Sequence, residues 1–237
     1  MDKNLKKQQE IYDRSWRSSL KSGKEEHGNL QTNLEFLEQT NLLQTNYKIL
    51  EVGCGIGNIV FELTKQGHDI IGRDISSEAI AHGQKKYPDI NIEVQPAEEL
   101  NFGDEAFDIV LSFDLFEHVV QIDKHISEVF RVLRPGGYYM FQTPNKYSNI
   151  IFETLQTRTL QWRNYHPSLH SPGQLKRRLS GHGFDVRFVK MNPVNKFTIK
   201  KFKKLGPLGN IFKYINFCRL PLALQTNLYI IAEKTRQ

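Results

Sequence analysis

Cysteines and long apolar runs are scarce in this chain of 237 residues. The two cysteines, Cys54 and Cys218, lie far apart and are not grouped with histidines, so we expect neither a disulfide framework nor a structural zinc site. No apolar run approaches the ~20 residues that a membrane helix needs, and residues 1–10 lack the apolar stretch of a secretory signal. These absences predict a soluble protein of the reducing cytoplasm with no bound metal.

Length and periodicity predict a single α/β domain over residues 1–237. The chain is long enough for one doubly wound sheet with a large core, and short for two domains. Apolar residues recur at helical spacing before the first strand pattern, so we expect a helical cap over residues 1–46. Strand and helix patterns then alternate, which indicates a mostly parallel sheet.

A glycine-rich turn follows the first predicted strand. The apolar run that carries Glu51 leads into Gly53, Gly55 and Gly57. Because glycines tolerate positive φ and carry no Cβ, the backbone here can lie directly against a bound small molecule. A dinucleotide fingerprint would need a glycine or alanine where Asn58 stands. The turn therefore predicts a cofactor loop of another kind.

Further motifs follow this loop in order. They are Asp74 at the end of a second predicted strand, the run 107–119 ending in Glu-His-Val, the turn sequence Leu-Arg-Pro-Gly-Gly at 133–137 before a fifth strand, and a helix over 175–184 ending in Gly-His-Gly-Phe. Together with the loop they resemble the class I S-adenosylmethionine-dependent methyltransferases over residues 30–235. The resemblance implies a doubly wound Rossmann-like sheet, with 185–191 and 227–233 as its antiparallel final strand pair.

The resemblance also implies S-adenosylmethionine as the cofactor, bound by a core over residues 47–145. In this family the loop after the first strand holds the methionine end of the cofactor, and the acid after the second strand holds the ribose. By that analogy we expect the methionine end to contact Glu51, Gly53, Gly55 and Gly57. Asp74 would accept hydrogen bonds from both ribose hydroxyls.

Recognition of the adenine departs from the family pattern. Relatives of this type usually read Gly-Asp-Ala after the third strand, whereas here the chain reads Gln-Pro-Ala-Glu at 95–98. Because proline has no side chain that could accept a hydrogen bond from the adenine amino group, we expect the Ala97 backbone, Glu98 and a stacked Ile75 to bind the ring. Ser112 and Phe113, at the end of the fourth strand, complete the predicted cofactor residues.

Aromatic and histidine side chains are candidates for binding the methyl acceptor. Tyr12 and Trp16 in the helical cap are either core residues or pocket residues. The segment 146–170 is longer than a strand-to-helix connection requires, and we expect it to lie on the acceptor side. It carries Trp162, Tyr165 and His166, of which His166 either contacts the acceptor or ties the loop to the next helix.

His118 is the candidate catalytic residue. It follows the fourth strand, where the acceptor side of the pocket should lie, and histidine titrates near neutrality. If the acceptor is a phenol or another protonated oxygen, His118 can take its proton as the methyl arrives. The alternative is that His118 caps the following helix.

The carboxyl-terminal third of the chain is strongly basic. Residues 154–232 contain 14 lysines and arginines and one acid, while the whole chain has a net charge of +6. The connection 192–226 is an insertion whose lysines alternate with apolar residues, and 192–220 carries seven basic residues. We expect one of three roles for this segment: peripheral contact with an anionic membrane, contact with a lipophilic or anionic acceptor, or a solvated lid.

Nucleic acid is the weaker interpretation of this charge. The chain contains no Pro-Pro, which methyltransferases of exocyclic base amines carry after the fourth strand, and no Pro-Cys nucleophile for cytosine. We therefore expect methyl transfer to a small acceptor at oxygen, because the Glu-His-Val ending looks most like ubiquinone-type O-methyltransferases. Methylation at nitrogen or carbon, a non-catalytic cofactor-fold protein that binds or regulates a partner, and, more distantly, an NAD-dependent oxidoreductase are the alternatives.

Overall fold

The computed structural model describes residues 3–25, 29–157, 167–195, 198–199, 214 and 216–236. Helices and strands alternate through most of these ranges. The helices are α1 (Lys3–Lys21), α2 (Leu30–Thr40), α3 (Asn58–Lys65), α4 (Ser77–Lys86), α5 (Ile122–Val132), α6 (Lys146–Thr157) and α7 (Pro172–Gly181). The strands are β1 (Lys48–Val52), β2 (Asp69–Asp74), β3 (Asn91–Val94), β4 (Phe107–Phe113), β5 (Leu133–Pro144), β6 (Phe184–Val189) and β7 (Asn227–Lys234).

The strands form one seven-stranded sheet in the order β3-β2-β1-β4-β5-β7-β6. β1 pairs in parallel with both β2 and β4, and β7 runs antiparallel to both of its neighbours, β5 and β6. The predicted doubly wound sheet with an antiparallel final pair is therefore confirmed. Strand order reverses between β1 and β4, and ligands of such sheets bind in the crevice at this point.

The sheet has a hydrophobic layer on each face because neighbouring residues of a strand point to opposite sides. On β4, Val110 packs with Ile126 of α5 in one cluster, while Ile109 and Leu111 pack with Phe36 of α2 in the other. All five side chains are completely buried. Helices on both faces fix the carboxyl ends of the central strands, which is where the site lies.

Serine side chains cap the starts of two helices. The Ser171 hydroxyl accepts from the Gln174 backbone N–H, and the Gln174 side chain accepts in return from the Ser171 N–H, which completes a capping box. Ser76 caps α4 in the same way by accepting from the Ala79 N–H. In the part of the chain that the structure describes, no helix combines the length and apolarity needed to cross a membrane.

One local prediction is wrong in detail. The sequence indicates a turn at 133–137 before the fifth strand, but this run belongs to β5 as a bulge, and the pairing with β4 shifts register there. Gly136 has a φ of +74°. A Cβ on Gly137 would lie 2.8 Å from the Asp108 carbonyl oxygen of β4, so the two strands touch at a point where only glycine fits.

Candidate active site

A cavity of about 450 Å³ opens at the carboxyl ends of β1, β2 and β4. This volume falls in the range of roughly 300 to 1,000 Å³ that small-molecule sites occupy. Most of the predicted site residues that the structure describes line this cavity. They are Tyr12, Trp16, Glu51, Gly53, Gly55, Asp74, Ile75, Ala97, Glu98, Phe113 and His118, and Glu117 joins them.

The glycine loop lies close beneath helix α1. Gly53 and Gly55 have φ values of +76° and +55°, a region that favours glycine. A Cβ on Gly55 would lie 2.7 Å from the Trp16 ring, so the indole packs directly over the bare backbone. Gly57 packs against the core instead, because a Cβ there would lie 2.5 Å from Ile90.

The Asp74 carboxylate at the end of β2 is held by backbone donors. Its Oδ2 accepts from the Gly55 N–H and its Oδ1 from the Ser76 N–H, each at 2.8 Å. Burial raises the pKa of this carboxyl, and the two backbone donors oppose that change. Each oxygen keeps a further lone pair, so the group can still accept from two vicinal hydroxyls.

Glu51 brings a second buried carboxyl to the same end. Its side chain is 3% exposed, and Oε2 has no hydrogen-bond partner among the described residues. Burial, and then the nearby charge of Asp74, raise the pKa of Glu51 to about 8. A cationic ligand group beside Oε2 would supply the missing partner and favour the ionised form.

Glu98 lies where the third strand leads into the cavity, next to Ala97. It is 2% exposed, and its Oε1 also lacks a hydrogen-bond partner among the described residues. Burial raises the pKa of this carboxyl, whereas hydrogen bonds from the backbone N–H groups of Glu98 and Gln121 lower it. The free acceptor atom can bind an amino group. We call the part of the cavity with Glu51, Asp74 and Glu98 the cofactor end.

Another part of the cavity wall, which we call the acceptor end, is formed by Tyr12, Glu117 and His118. The Tyr12 and His118 rings meet edge to face with their centres 5.9 Å apart. Glu117 Oε1 lies 3.8 Å from His118 Nε2, and Glu117 Oε2 accepts from the Thr143 hydroxyl at 3.0 Å. Burial raises the pKa of Glu117 to about 7. A carboxyl that can exchange a proton near neutrality therefore lies beside the imidazole.

Helix α1 is fastened across the cavity by Asp13. The Asp13 carboxylate accepts from the Ser76 hydroxyl at 2.7 Å, the Ser77 hydroxyl at 3.0 Å and the Glu78 backbone N–H at 3.2 Å. A carboxylate is favourable at the amino terminus of a helix such as α4. The attachment places both Tyr12 and Trp16 in the cavity wall; their contact with an acceptor stays a prediction.

Other predicted residues fall elsewhere. The Ser112 side chain is fully buried, lies 2.7 Å from the Tyr139 hydroxyl and does not line the cavity. Trp162, Tyr165 and His166 lie outside the described residues. Glu117 belongs to the Glu-His-Val motif, which by itself gives it no role, and its burial beside His118 is what distinguishes it. The described residues hold no group of three or more metal-ligating side chains.

Comparison with known proteins finds methyltransferases similar to part of this chain. Residues 50–141, which contain the cofactor loop, β2 and the acceptor-end turn, match the sequence profile of a family described as "Methyltransferase domain". A protein of Mycolicibacterium smegmatis named "Probable S-adenosylmethionine-dependent methyltransferase" is 32% identical over 138 residues, which cover 58% of this chain and 52% of that protein. Over this region the chain is similar to S-adenosylmethionine-dependent methyltransferases.

Two further similar proteins are more distant in sequence. The ubiquinone biosynthesis O-methyltransferase of Agrobacterium fabrum is 25% identical over 156 residues, covering 59% of this chain and 60% of that one. The chain thus spans about half to three fifths of the length of these two relatives. The [4+2]-cyclase SpnF superposes with a TM-score of 0.63 at 19% identity, covering 88% of this chain and 81% of that one. The last likeness concerns the fold alone.

The residues of the cofactor end fit S-adenosylmethionine, the cofactor of this methyltransferase family. The unpartnered Glu51 and Glu98 oxygens are acceptors that an ammonium and an aromatic amino group would satisfy. The Asp74 carboxylate lines the same cavity and can accept from vicinal hydroxyls such as those of a ribose. The glycines of the loop contribute no side chain of their own between the backbone and a ligand.

Proposed function

We propose that this protein transfers a methyl group from S-adenosylmethionine to a small acceptor at oxygen. The observation that carries the proposal is that one cavity joins the three carboxyls of the cofactor end to the Tyr12, Glu117 and His118 side chains of the acceptor end. Within such a cavity a donor and an acceptor can be held in line.

The cofactor would be bound through three contacts. Glu51 and the backbone of the loop at Gly53 and Gly55 would hold its amino-acid end, Asp74 the ribose hydroxyls, and Ile75 and Glu98 the adenine. S-adenosylmethionine supplies a methyl group that its sulfonium already activates. No covalent nucleophile is therefore required from the protein, and its contribution is positioning and exclusion of water.

At the acceptor end, His118 would take the proton of an acceptor hydroxyl as the methyl is transferred. The imidazolium that forms would be stabilised by the Glu117 carboxylate, whose Oε1 lies 3.8 Å from Nε2. Tyr12 closes the space on the α1 side. An alternative role for His118 is structural, since its backbone N–H donates to the Leu115 carbonyl at 2.8 Å within the turn at Phe116–His118.

We also propose that the acceptor is lipophilic or anionic and that the basic segment 192–220 contacts an anionic membrane surface from the cytoplasmic side. The proposal rests on the seven basic residues in the sequence of this segment. Most of the segment lies outside the described residues. Tyr214 and Leu224, which lie within or just after it, are 79% and 59% exposed. Exposed apolar side chains beside lysines are typical of interfacial elements.

A different class of function, a non-catalytic protein that binds the cofactor and regulates a partner, is compatible with the same fold. The fold by itself does not separate this candidate from an enzyme, because one fold can carry several unrelated functions. Methyl transfer to nitrogen or carbon would use the same cofactor end and differ only in the acceptor.

One assay separates these functions. Purified protein is incubated with S-adenosylmethionine and a panel of catechols, amines and activated-carbon acceptors, and S-adenosylhomocysteine is quantified against an acceptor-free control. Formation that depends on a hydroxyl acceptor supports the proposal, and formation with amines alone moves the reaction to nitrogen. Calorimetric binding of S-adenosylmethionine without turnover on any acceptor favours the binding protein.

A further inference from the structure

The loop that follows β3, residues 95–102, lies along one face of α5. The Leu100 N–H donates to Glu128 Oε2 at 2.8 Å, and the Leu100 carbonyl accepts from Arg131 Nη2 at 2.8 Å. Glu128 and Arg131 are themselves joined by an ion pair at 2.8 Å. These contacts lie on the partly exposed side of the helix, so they fasten the far end of the loop.

The cavity end of the loop is fastened by a buried histidine. His125 Nδ1 lies 2.9 Å from the Ala97 carbonyl oxygen, and His125 Nε2 lies 3.0 Å from the Tyr139 hydroxyl. The Tyr139 hydroxyl lies in turn 2.7 Å from the Ser112 hydroxyl. His125, Tyr139 and Ser112 are all fully buried. The chain of hydrogen bonds joins α5, β5 and β4 to the cofactor end.

The direction of each hydrogen bond follows from the protonation state of His125. Burial lowers the pKa of His125 to about 4, so the imidazole is neutral at physiological pH, with one donor and one acceptor nitrogen. The Ala97 carbonyl can only accept, so Nδ1 carries the hydrogen and donates to it. Nε2 then accepts from the Tyr139 hydroxyl, and Tyr139 accepts from Ser112.

Glu98 is held by the same helix through its side chain. The Ala97 carbonyl is part of the peptide group that joins Ala97 to Glu98, so His125 fixes the plane of that peptide. The Glu98 carboxylate accepts from the backbone N–H of Gln121, the residue that precedes α5. The unpartnered Oε1 is thereby held at the cavity wall.

We propose that His125 is a positioning residue that orients the Ala97–Glu98 peptide, so that Glu98 accepts a hydrogen bond from the 6-amino group of adenine. This inference rests on the proposed function, because it assumes that S-adenosylmethionine or its product occupies the cavity. The Pro96 side chain has no atom that could accept that hydrogen bond, whereas Glu98 Oε1 is a buried acceptor with no partner among the described residues. In this view Ser112 acts on the cofactor site through Tyr139 and His125.

Two ligands and three variants test the role of His125. S-adenosylhomocysteine and S-inosylhomocysteine differ at position 6 of the purine, where an amino group is replaced by an oxo group. Both are titrated calorimetrically into the wild type, His125→Leu, His125→Gln and Val132→Ala. Glutamine keeps one donor and one acceptor, leucine keeps neither, and Val132 is a fully buried residue of the same helix that serves as the control for lost stability.

We expect the wild type to prefer the adenine ligand by about tenfold or more, since a site that pairs with an amino group rejects the analogue that lacks it. His125→Leu is expected to bind S-adenosylhomocysteine about tenfold more weakly and to lose most of this preference, while His125→Gln restores it and Val132→Ala keeps it. Unchanged affinity and preference in His125→Leu, or the same loss in Val132→Ala, would overturn the inference. A wild type that binds neither ligand would instead refute the proposed function.

Discussion

At the cofactor end of the cavity the carboxyls stand on or just after strands of one sheet, whereas the acceptor end is formed by a turn and a separate helix. The Asp74 carboxylate is held by hydrogen bonds from the backbone N–H groups of Gly55 and Ser76. Tyr12 lies in the cavity wall on α1, which Asp13 attaches to the start of α4. In the proposed function, cofactor recognition therefore uses groups at the strand ends, and acceptor recognition depends on how distant segments pack.

The difference explains what the sequence could predict. Glu51, Gly53, Gly55 and Asp74 lie at or just after the ends of strands, so the order of motifs is enough to place them in one cavity, whereas Gly57 packs against the core. Ser112 was grouped with them because of its position on β4, but alternation along the strand directs its side chain into the core, towards Tyr139.

The roles of Glu117 and His125 could not be predicted from the order of motifs in the sequence. The distinguishing features of Glu117 are its 2% exposure and its distance from His118, and neither is encoded in spacing. His125 occupies an inward position of α5 among apolar residues, and its partners lie on a loop and on β5. Both roles arise from packing between elements far apart in the chain.

The largest effect is expected from His118→Ala at the acceptor end. A general base contributes ~10²- to 10⁴-fold to the chemical step, so kcat at neutral pH should fall by that factor on a hydroxyl acceptor. Partial recovery is expected at alkaline pH, where the acceptor ionises unaided. The measurement is a pH–rate profile of S-adenosylhomocysteine formation, with cofactor affinity and Tm recorded in parallel. Activity lost only in proportion to folded protein would assign His118 to the scaffold.

A smaller effect is expected from Asp74→Ala at the cofactor end. Removing a charged acceptor costs ~1.5 to 3 kcal/mol, which is a loss of roughly 10- to 150-fold in affinity for S-adenosylmethionine. Asp69→Ala, at the exposed start of the same strand, is the matched control. Calorimetry that finds the two variants equal would remove Asp74 from the site.

The protonation state of Glu51 should also distinguish the cofactor end from the acceptor end. Because the pKa of Glu51 is raised to about 8, the free protein holds a proton there at pH 7, and a bound ammonium lowers that pKa and releases the proton. The same shift means that the contribution of Glu51 to folding stability, fully present below its ordinary pKa of ~4.5, is lost as pH rises through about 8.

The proton release can be measured by titrating S-adenosylhomocysteine at pH 7 in buffers of different ionisation enthalpy. We expect the release to disappear in Glu51→Gln and to persist in Glu117→Gln. Glu117 is the matched control because its carboxyl also has a raised pKa, of about 7, but lies at the acceptor end. Release that depends on Glu117 instead would reverse the assignment of the two ends.

The smallest effect is expected on membrane association through the 192–220 segment. Vesicles with anionic lipids should recover protein in flotation at low salt and release it as salt is raised, because exposed charges are screened over ~8 Å at physiological ionic strength. Neutral vesicles are the control. Equal recovery from both kinds of vesicle would make the lysines merely solvated charges.

A crystal structure with S-adenosylhomocysteine bound tests the assignment of the cavity most directly. We expect the homocysteine ammonium beside Glu51, the ribose on Asp74, the adenine against Ile75 and Glu98, and the sulfur facing Tyr12 and His118. A ligand bound in another orientation, with its sulfur turned away from the acceptor end, or bound outside this cavity, would contradict the proposed methyl transfer.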